Sequence, residues 1–282
     1  MVSVLLPVYN GESTILKSVE SILSQSEQNF ELVIINDAST DKTLDIISSI
    51  KDTRIKIINN EYNLGCTASL NRGILDCNGE YILRQDSDNI SHSNRLKLLY
   101  QRAKETKAKL ITSDFFRINS NLGKKDIVRM VDSDMVLWKH IFYNHFEHNV
   151  LLEKKALLKL GCYSEKYRFL QDYELWTRYF INAIPYSIVS SPLYDYYSNI
   201  TPEKRQRSEM LGSEISFKYI TLLFKKKFPE KAFKSLRYKI RNTLPINKSE
   251  QILLLQIYNE YIKKFSLKTT NPILRKIYEL VK

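Results

Sequence analysis

The sequence is poor in the residues that mark repeat, linker-rich and disulfide-bonded proteins. Only seven glycines and seven prolines occur among 282 residues, and no fixed-period repeat or low-complexity tract is present. The three cysteines are odd in number and widely spaced, without a Cys-x-x-Cys pair, which argues against a disulfide framework and against a zinc or redox site. Cysteine usage therefore predicts a reducing cytoplasm, and the length predicts one large domain or one domain with an extension.

Long apolar runs are absent too. No stretch approaches the roughly 20 apolar residues that a membrane-spanning helix needs. The first apolar run, at residues 2–8, lacks the basic flank and the length of a signal peptide, so we interpret it as a buried strand. We expect a protein that is soluble or peripheral to a membrane.

The net charge of +12 lies entirely in the last quarter of the chain. Residues 203–282 contain 19 Lys or Arg and 7 Glu, whereas the 24 basic and 24 acidic residues of 1–202 cancel. In residues 204–241 many basic side chains alternate with apolar and aromatic ones, which is typical of helices that lie on anionic membrane surfaces. The alternatives are a helical cap with its charges in water and a bundled contact between two copies of the chain.

Strand-like and helix-like segments alternate from the start of the chain. Strands are predicted at residues 2–8, 32–35, 55–58 and 81–83, with helices at 13–24 and 44–50. This order predicts a largely parallel sheet flanked by helices, with ligands at the carboxyl ends of its strands.

The rest of the chain is less regular. Further strands are predicted at 110–115, 149–152, 186–189 and 194–197, and further helices at 93–106, 154–160 and 172–180. Residues 117–146 show no clear pattern, and from about residue 209 the pattern is helical, with breaks expected at Pro229, Pro245 and Pro272.

Side chains suited to a nucleotide follow three of the strands. Tyr9 follows the first strand, Asp37 the second, and the triplet Asp86-Ser87-Asp88 the fourth. A nucleotide needs a flat surface for its base, a carboxylate for an N–H or hydroxyl, and a cation for its phosphates. Neither a P-loop nor a Gly-x-Gly-x-x-Gly motif follows the first strand, so metal and basic side chains must neutralise the phosphates. Each carboxylate alone has a simpler interpretation, which is that it caps a turn.

Five segments, in order, resemble glycosyltransferase family 2, a family of inverting enzymes that share the nucleotide-sugar-binding fold known as GT-A. The segments are residues 3–11, 33–41, 63–65, 70–74 and 79–88, and the likeness covers most of residues 2–200. It implies a mixed, mostly parallel α/β sheet flanked by helices, with a C-terminal helical extension. The implied domains are a GT-A catalytic domain, 1–205, and a basic helical extension, 206–282. Within the first, about 1–90 would bind the nucleotide-sugar and about 91–205 the acceptor.

The resemblance also implies roles for individual residues. Pro7, Val8, Tyr9 and Asp37 would contact the base, most often uracil, while Glu12, Asn71 and Arg72 would line the nucleotide pocket. Asp88 would bind the metal. Asp86 would face the ribose and serve as a second metal ligand, and Ser87, between them, would also contact the nucleotide-sugar. The alternatives are that Tyr9 packs on the next helix and that Asn71 and Arg72 form an ordinary exposed helix face.

An inverting transfer needs a base that removes the acceptor hydroxyl proton. In the family this base lies at the start of a helix and is followed by an aromatic residue and a Trp. Residues 171–176, about eighty residues after the triplet, resemble that pattern. Asp172 is therefore the candidate base, with Gln171 and Trp176 as candidate acceptor contacts. Asp172 alternatively stabilises a helix N-terminus, and Trp176 alternatively belongs to the core.

The resemblance implies a Mn²⁺ or Mg²⁺ cofactor, but the chain departs from the family here. Relatives carry a His in a late strand, where this chain has residues 196–199; Asn199 or water would complete the metal shell. Arg205 or Arg207, where relatives have a mobile loop, would neutralise the diphosphate. The four histidines, His92, His140, His145 and His148, lack zinc spacing and are expected to be structural.

The sequence thus predicts an inverting, metal-dependent hexosyltransferase. It would move a sugar from a nucleotide-sugar donor, expected to be UDP-linked, to a saccharide or lipid-linked acceptor in cell-surface polysaccharide biosynthesis. The predicted location is the cytoplasm or the inner face of the cell membrane. The alternative enzyme class is a sugar nucleotidyltransferase. It would need a Gly-rich basic loop after the first strand, and residues 7–12 lack one. A nucleic-acid-binding protein is suggested only by the charge, so no nucleic-acid partner is expected.

Overall fold

The computed structural model describes most of the chain. The described residues are 1–119, 123–130, 135–144, 146, 149–198 and 201–265. Across these residues the strands form one mixed sheet of nine strands.

Four parallel strands form the N-terminal half of the sheet. They are β1 (Val2–Val8), β2 (Phe30–Asn36), β3 (Ile55–Asn59) and β4 (Tyr81–Arg84). β1 pairs with β2 and β4, and β2 pairs with β3. Every residue of β1 and β4 is buried, as expected for parallel strands covered on both faces. The predicted parallel arrangement of these strands is confirmed.

Helices α1 (Ile15–Leu23), α2 (Thr43–Ser49) and α3 (Cys66–Asp76) connect these strands. α1 is amphipathic and buries Ile15, Val19 and Ile22, which recur at helical spacing. α3 packs against β1 through Gly73, where an added Cβ would lie 2.3 Å from Leu5 Cδ1. The body of α3 and the middle of β1 are therefore closely packed.

The C-terminal half of the sheet is mixed. Its strands are β5 (Ile90–Ser91), β6 (Leu110–Asn119), β7 (Lys124–Val128), β8 (Leu151–Glu153) and β9 (Tyr186–Tyr197). The order along the sheet is β3-β2-β1-β4-β8-β6-β9-β5, with β7 paired to β6. β8 runs antiparallel to β4 and β6, whereas β6 and β9 are parallel. The two strands predicted at 186–189 and 194–197 are one strand, whose pairing with β6 shifts register near Asp114.

Four helices accompany this half of the chain. They are α4 (Arg95–Thr106), α5 (Met135–Phe142), α6 (Lys154–Lys159) and α7 (Gln171–Ile181). α4, α6 and α7 agree with the helices predicted at 93–106, 154–160 and 172–180. The segment without a clear pattern, 117–146, contains the end of β6, then β7 and α5.

The chain divides into two compact units. The first comprises Met1–Asp132 and Phe146–Thr201, and the second Ser133–His145 and Pro202–Lys282. The second unit contains α5 together with α8 (Pro202–Phe224), α9 (Glu230–Arg241) and α10 (Lys248–Phe265). Pro229 and Pro245 lie in the breaks between these helices, as predicted, whereas Pro272 lies outside the described residues. This division groups residues 133–145 with the C-terminal helices, whereas the sequence predicted them within the catalytic domain, 1–205.

Within the second unit, α5 is part of the packed interior. The indole of Trp138 makes edge contacts with Tyr258 and Tyr261 of α10. Ser216 of α8 donates a hydrogen bond to the carbonyl of Ile141. The C-terminal helices thus pack around a helix from the middle of the chain.

Many basic residues of the second unit are paired with carboxylates. The pairs are Lys226–Glu260 (2.6 Å), Lys234–Glu230 (2.7 Å), Arg237–Glu209 (2.8 Å) and Lys239–Glu250 (2.8 Å). The side chains of Lys225, Lys227 and Lys231 are exposed. In the part of the chain that the structure describes, no helix combines the length and apolar character needed to cross a membrane.

Candidate active site

The ends of β1, β2 and β4 lie side by side at one edge of the sheet. Val8 pairs with Asn36, and the N–H of Asp37 donates to the carbonyl of Val8 at 2.8 Å. On the other side of β1, the N–H of Gln85 donates to the carbonyl of Leu5 at 3.0 Å. The segments that follow β1, β2 and β4, which are the predicted ligand-binding segments, therefore start at the same edge of the sheet, as the parallel topology requires.

The turn after β1 is fastened to the turn after β2. The N–H of Asn10 donates to Ser39 Oγ at 3.0 Å, and Asn10 Oδ1 accepts from the N–H of Thr40 at 2.8 Å. The N–H of Gly11 donates to Thr43 Oγ1 at 2.8 Å. Asn10 has a left-handed φ of 50°, which short polar residues tolerate when such bonds hold them. These contacts fix the position of the residue before the turn, Tyr9.

Tyr9 is the exposed member of the Pro7-Val8-Tyr9 segment. Pro7 and Val8 are buried, whereas Tyr9 is 50% exposed and offers its ring as a flat surface. Among these three predicted base contacts, only Tyr9 therefore presents its side chain. Glu12 is also exposed, and its carboxylate accepts from the N–H of Lys42 at 2.9 Å. The predicted ligand contacts of these residues stay predictions.

Asp37 is buried and already engaged. Its side chain is 3% exposed, and its two carboxylate oxygens accept from Asn60 Nδ2 at 2.6 Å, the N–H of Leu64 at 2.9 Å and the N–H of Gly65 at 2.8 Å. These donors belong to the loop that leads into α3. Asp37 thus orders this loop, while its predicted contact with a base stays a prediction.

Asn71 and Arg72 contact other segments as well as solvent. Arg72 Nη1 donates to Asn60 Oδ1 at 2.6 Å. The amide of Asn71 donates to the carbonyl of Tyr163 at 2.9 Å and accepts from its N–H at 3.0 Å. Asn71 therefore joins α3 to the segment that precedes α7. Asn71 is half-buried and Arg72 is exposed, so the exposed-face interpretation does not account for the contacts of Asn71 and stays open for Arg72.

The triplet Asp86-Ser87-Asp88 rests on a buried polar network. Gln85 Nε2 donates to Ser18 Oγ at 2.9 Å, and Ser18 Oγ donates to the carbonyl of Asp86 at 3.0 Å. Arg95 donates to Gln85 Oε1 at 2.8 Å and to the carbonyl of Arg84 at 3.0 Å. Burial lowers the pKa of Arg95 to about 10, so it remains charged at neutral pH. The backbone before the triplet is therefore rigidly held.

The three members of the triplet differ in exposure. Asp86 and Ser87 are half-buried, and Asp88 is exposed. A Cβ added to Gly11 would lie 3.6 Å from Ser87 Oγ and 2.7 Å from Val8 Cγ2. The turn after β1 and the triplet are thus neighbours, and the close approach to Val8 favours glycine at this position.

Arg84, the last residue of β4, carries a buried guanidinium that was not among the residues predicted from the sequence. Its Nε donates to Asp86 Oδ1 at 3.1 Å, and its side chain is 6% exposed. Burial disfavours the charged form, but Asp86, Tyr163, Cys66 and Asp172 raise the pKa of Arg84 well above its ordinary value. The sequence feature that could have indicated a role for Arg84 is a charged residue at the end of an otherwise apolar strand.

Asp172 lies in the first turn of α7 and is 8% exposed. The segment before α7 reaches the end of β4 through Tyr163, whose ring centroid lies 5.7 Å from the guanidinium carbon of Arg84. Asn71 of α3 binds the backbone of Tyr163. The segment that leads into α7 is therefore joined to α3 and to the end of β4, while the role of Asp172 as the base stays a prediction.

The two predicted acceptor contacts on α7 differ. Trp176 is 0% exposed, and its Nε1 donates to the carbonyl of Phe146 at 2.8 Å. The prediction that Trp176 stacks on a sugar ring is wrong, because the ring is part of the core. Gln171 is half-buried at the first position of α7, and its acceptor role stays a prediction. Glu174 is paired with Arg178 at 2.8 Å, which stabilises the helix.

The remaining predicted residues lie elsewhere. Arg205 is exposed in α8, which is helical from Pro202 onward, where the resemblance implied a mobile loop. Asn199, His145 and His148 lie outside the described residues. His92 contacts Asp195 Oδ1 through Nε2 at 2.9 Å, and His140 is buried against the ring of Tyr219. The contact of Arg205 with a diphosphate stays a prediction.

The triplet offers oxygen ligands that fit a divalent cation. Within the described ranges, no group of three or more His, Cys, Asp or Glu side chains is arranged to hold a metal ion. Oδ1 of Asp86 accepts a hydrogen bond from Arg84, and the side chain of Asp88 is exposed. Mn²⁺ and Mg²⁺ accept carboxylate, water and phosphate oxygens together. Asp86 and Asp88 are therefore the residues that would hold a cation, and diphosphate and water oxygens would have to supply its remaining ligands.

Residues 3–164 match the model of glycosyl transferase family 2. The match covers more than half of the chain and includes the ends of β1, β2 and β4. The chain therefore belongs to glycosyl transferase family 2, which confirms the predicted resemblance. Asp172 lies beyond the matched residues.

Two relatives that are named as glycosyltransferases align with much or nearly all of the chain. An uncharacterized glycosyltransferase of Haemophilus influenzae is 26% identical over 98% of this chain and 96% of its own length. The Escherichia coli enzyme UDP-Glc:alpha-D-GlcNAc-diphosphoundecaprenol beta-1,3-glucosyltransferase WfgD is 29% identical over 62% of this chain and 68% of its own length.

Solved structures share the fold. Staphylococcus aureus TarS 1-349 in complex with UDP-GlcNAc has a TM-score of 0.69 and 18% identity, covering 99% of this chain and 88% of that one. Mannosyltransferase PcManGT from Pyrobaculum calidifontis, in complex with GDP-Man and Mn²⁺, has a TM-score of 0.58 and 12% identity, covering 99% and 83%. These likenesses confirm the predicted GT-A fold with C-terminal helices.

Proposed function

We propose that this glycosyltransferase is an inverting, metal-dependent hexosyltransferase. It moves a sugar from a UDP-linked donor to a saccharide or lipid-linked saccharide in cell-surface polysaccharide biosynthesis. One observation carries the proposal: Tyr9, Asp37 and the triplet follow three neighbouring strands, β1, β2 and β4, whose ends adjoin at one edge of the sheet. This edge offers the residue types that a nucleotide-sugar needs, and Asp172 in the first turn of α7 is the proposed base.

The donor side is supported by residue types and by the relatives. The exposed ring of Tyr9 provides a surface for a base beside the triplet. TarS 1-349 binds UDP-GlcNAc and WfgD is named for UDP-Glc, whereas PcManGT binds GDP-Man. TarS and WfgD share a UDP-linked sugar, which supports a UDP-linked donor here. The name of WfgD includes a diphosphoundecaprenol acceptor, which supports a lipid-linked acceptor.

In the proposed reaction, Asp172 accepts the proton of the acceptor hydroxyl as that oxygen attacks the anomeric carbon of the sugar. The bond from this carbon to the diphosphate breaks on the opposite face, so the configuration inverts. Arg84 holds Asp86, and Asp88 and Asp86 are the residues that would hold a cation. When bound there, a divalent cation supplies charge neutralisation for the leaving diphosphate.

A donor panel tests the proposal directly. UDP-sugars, added with Mn²⁺, should raise the thermal unfolding midpoint more than GDP- or dTDP-sugars do. Ligand at about 100 times its dissociation constant adds about 2.7 kcal/mol of stability. NMR of the product should show an anomeric configuration opposite to that of the donor. Retention of configuration, or stabilisation by GDP-sugars alone, would contradict the proposal.

Asp88→Ala should remove the gain in UDP affinity that Mn²⁺ provides. Asp88 is the predicted metal ligand and its side chain is exposed, so we expect the gain to fall by at least about tenfold, or about 1.4 kcal/mol. Calorimetry of UDP binding with and without Mn²⁺ measures it. Asp45→Ala, an exposed Asp of α2, is the matched control and should leave the metal response unchanged. An undiminished response in Asp88→Ala would exclude Asp88 as a ligand.

A peripheral membrane contact through the second unit is part of the proposal. Lys225, Lys227 and Lys231 support it because their side chains are exposed. Changing all three to Gln should weaken binding to anionic vesicles by about 3 kcal/mol, at about 1 kcal/mol each. Vesicle flotation of the full chain measures this. The same change at three exposed lysines of the first unit, Lys17, Lys51 and Lys97, is the charge-matched control; equal flotation of both variants would refute the contact.

A further inference from the structure

Arg84 has a fixed backbone and a buried charge at the end of β4. Its N–H donates to the carbonyl of Val150 at 3.0 Å, and its own carbonyl accepts from Arg95 Nη2 at 3.0 Å. Because both backbone groups are bound, the side chain leaves the strand in a defined direction. That direction leads to Asp86 and to the ring of Tyr163, whose centroid lies 5.7 Å from the guanidinium carbon.

One donor of this guanidinium has no hydrogen-bond acceptor among the described residues. Nη1 of Arg84 is fully buried and lacks a partner. A buried donor without a partner costs about 1–3 kcal/mol, and an apolar side chain would avoid this at the end of an apolar strand. A contribution to the stability of the fold therefore does not explain why Arg84 is buried here. A buried polar group without a partner is instead typical of a side chain with a role in a functional site.

The guanidinium lies between the two halves of the candidate site. On one side Nε holds the carboxylate of Asp86, the first residue of the triplet. On the other side lies the ring of Tyr163, whose backbone Asn71 joins to α3. The guanidinium therefore lies between the triplet and the segment that leads into the helix of the predicted base.

We infer that Arg84 is a positioning residue that orients Asp86 toward the bound donor. This inference rests on the proposed function. It assigns Arg84 no contact with the substrate, since its side chain is covered; Arg84 acts through Asp86. The expected consequence is that donor affinity depends on Arg84 only while the carboxylate of Asp86 is present.

A double-mutant cycle on UDP binding tests this. Calorimetry with UDP and Mn²⁺ is performed on Arg84→Met, Asp86→Asn and the double variant, with thermal unfolding as a measure of folding. Arg84→Met should weaken UDP binding about 10- to 100-fold, the usual range when a side chain that orients a metal ligand is lost. Arg84→Lys, which keeps the charge, should recover part of the affinity. In the Asp86→Asn chain, removal of Arg84 should change affinity by less than about threefold.

The chain offers a matched control. Arg54 Nε donates to Asp52 Oδ1 at 2.9 Å, so this pair has the same contact and the same spacing, but it precedes β3 at the opposite edge of the sheet. Arg54→Met should leave UDP affinity unchanged.

The outcomes are distinct. Unchanged UDP affinity in a folded Arg84→Met chain, or an equal loss with and without the Asp86 carboxylate, overturns the inference but leaves the proposed function intact. If Arg84→Met does not fold, the same cycle with Arg84→Lys decides between these results. If the unsubstituted chain binds no UDP, the proposed function fails and the inference fails with it.

Discussion

Asp172→Asn should abolish sugar transfer while leaving UDP affinity nearly unchanged. The amide keeps the shape of the carboxylate but cannot accept the acceptor proton. General bases contribute about 10²–10⁴-fold to such reactions, so turnover should fall by that factor. Initial rates of transfer from the donor selected by the panel, with UDP affinity measured by calorimetry, check both parts. Since Asp172 belongs to α7 rather than to the strand ends, nucleotide binding should not depend on it.

The simpler role for Asp172 is stabilisation of the helix N-terminus. In that case the Asn variant would lose about 0.3–1 kcal/mol of stability and keep its turnover. Glu174→Gln is the matched control, because Glu174 is a second buried carboxylate in the first turn of α7, and it is paired with Arg178. We expect Glu174→Gln to lower the unfolding midpoint and to retain transfer. Retained transfer by Asp172→Asn would refute its assignment as the base.

The sequence predicts the meeting of the strand ends because parallel topology brings carboxyl ends to one edge. The triplet, Asp37 and Tyr9 therefore fall where expected. Burial within a helix is harder to predict. Trp176 follows the candidate base in sequence, but the turn of α7 points its ring toward Phe146 in the core. Which face of a short helix meets the sheet depends on packing between distant segments.

Long-range contacts also explain what the sequence did not predict. Arg84 belongs to an apolar strand pattern, and its function emerges only when Asp86 and Tyr163 are placed around it. Likewise α5 lies in a segment without a clear periodic pattern, and its grouping with the C-terminal helices rests on contacts such as Trp138 with Tyr261. Local periodicity carries no information about either arrangement.

Asp37 is the residue for which the structure adds most to the predicted role. Asp37→Ala would remove the carboxylate acceptor of three donors in a partly exposed loop: the N–H groups of Leu64 and Gly65, and Asn60 Nδ2, which also donates to Ser69 Oγ. At about 1–3 kcal/mol per orphaned group, partly relieved by water, we expect a loss of about 3 kcal/mol. At about 2–4 °C per kcal/mol, the unfolding midpoint should fall by about 6–12 °C. An unchanged midpoint would contradict the ordering role.

Asp37→Asn separates this role from a direct contact with the base. The amide has one acceptor oxygen, so it can serve only part of the loop, and its NH₂ would face the N–H donor of Leu64 or Gly65. We expect a smaller loss of stability than in Asp37→Ala. If Asp37 only orders the loop, UDP affinity should fall in proportion to that loss in both variants. A loss of UDP affinity in Asp37→Asn that exceeds its loss of stability would instead indicate that the carboxylate contacts the nucleotide itself.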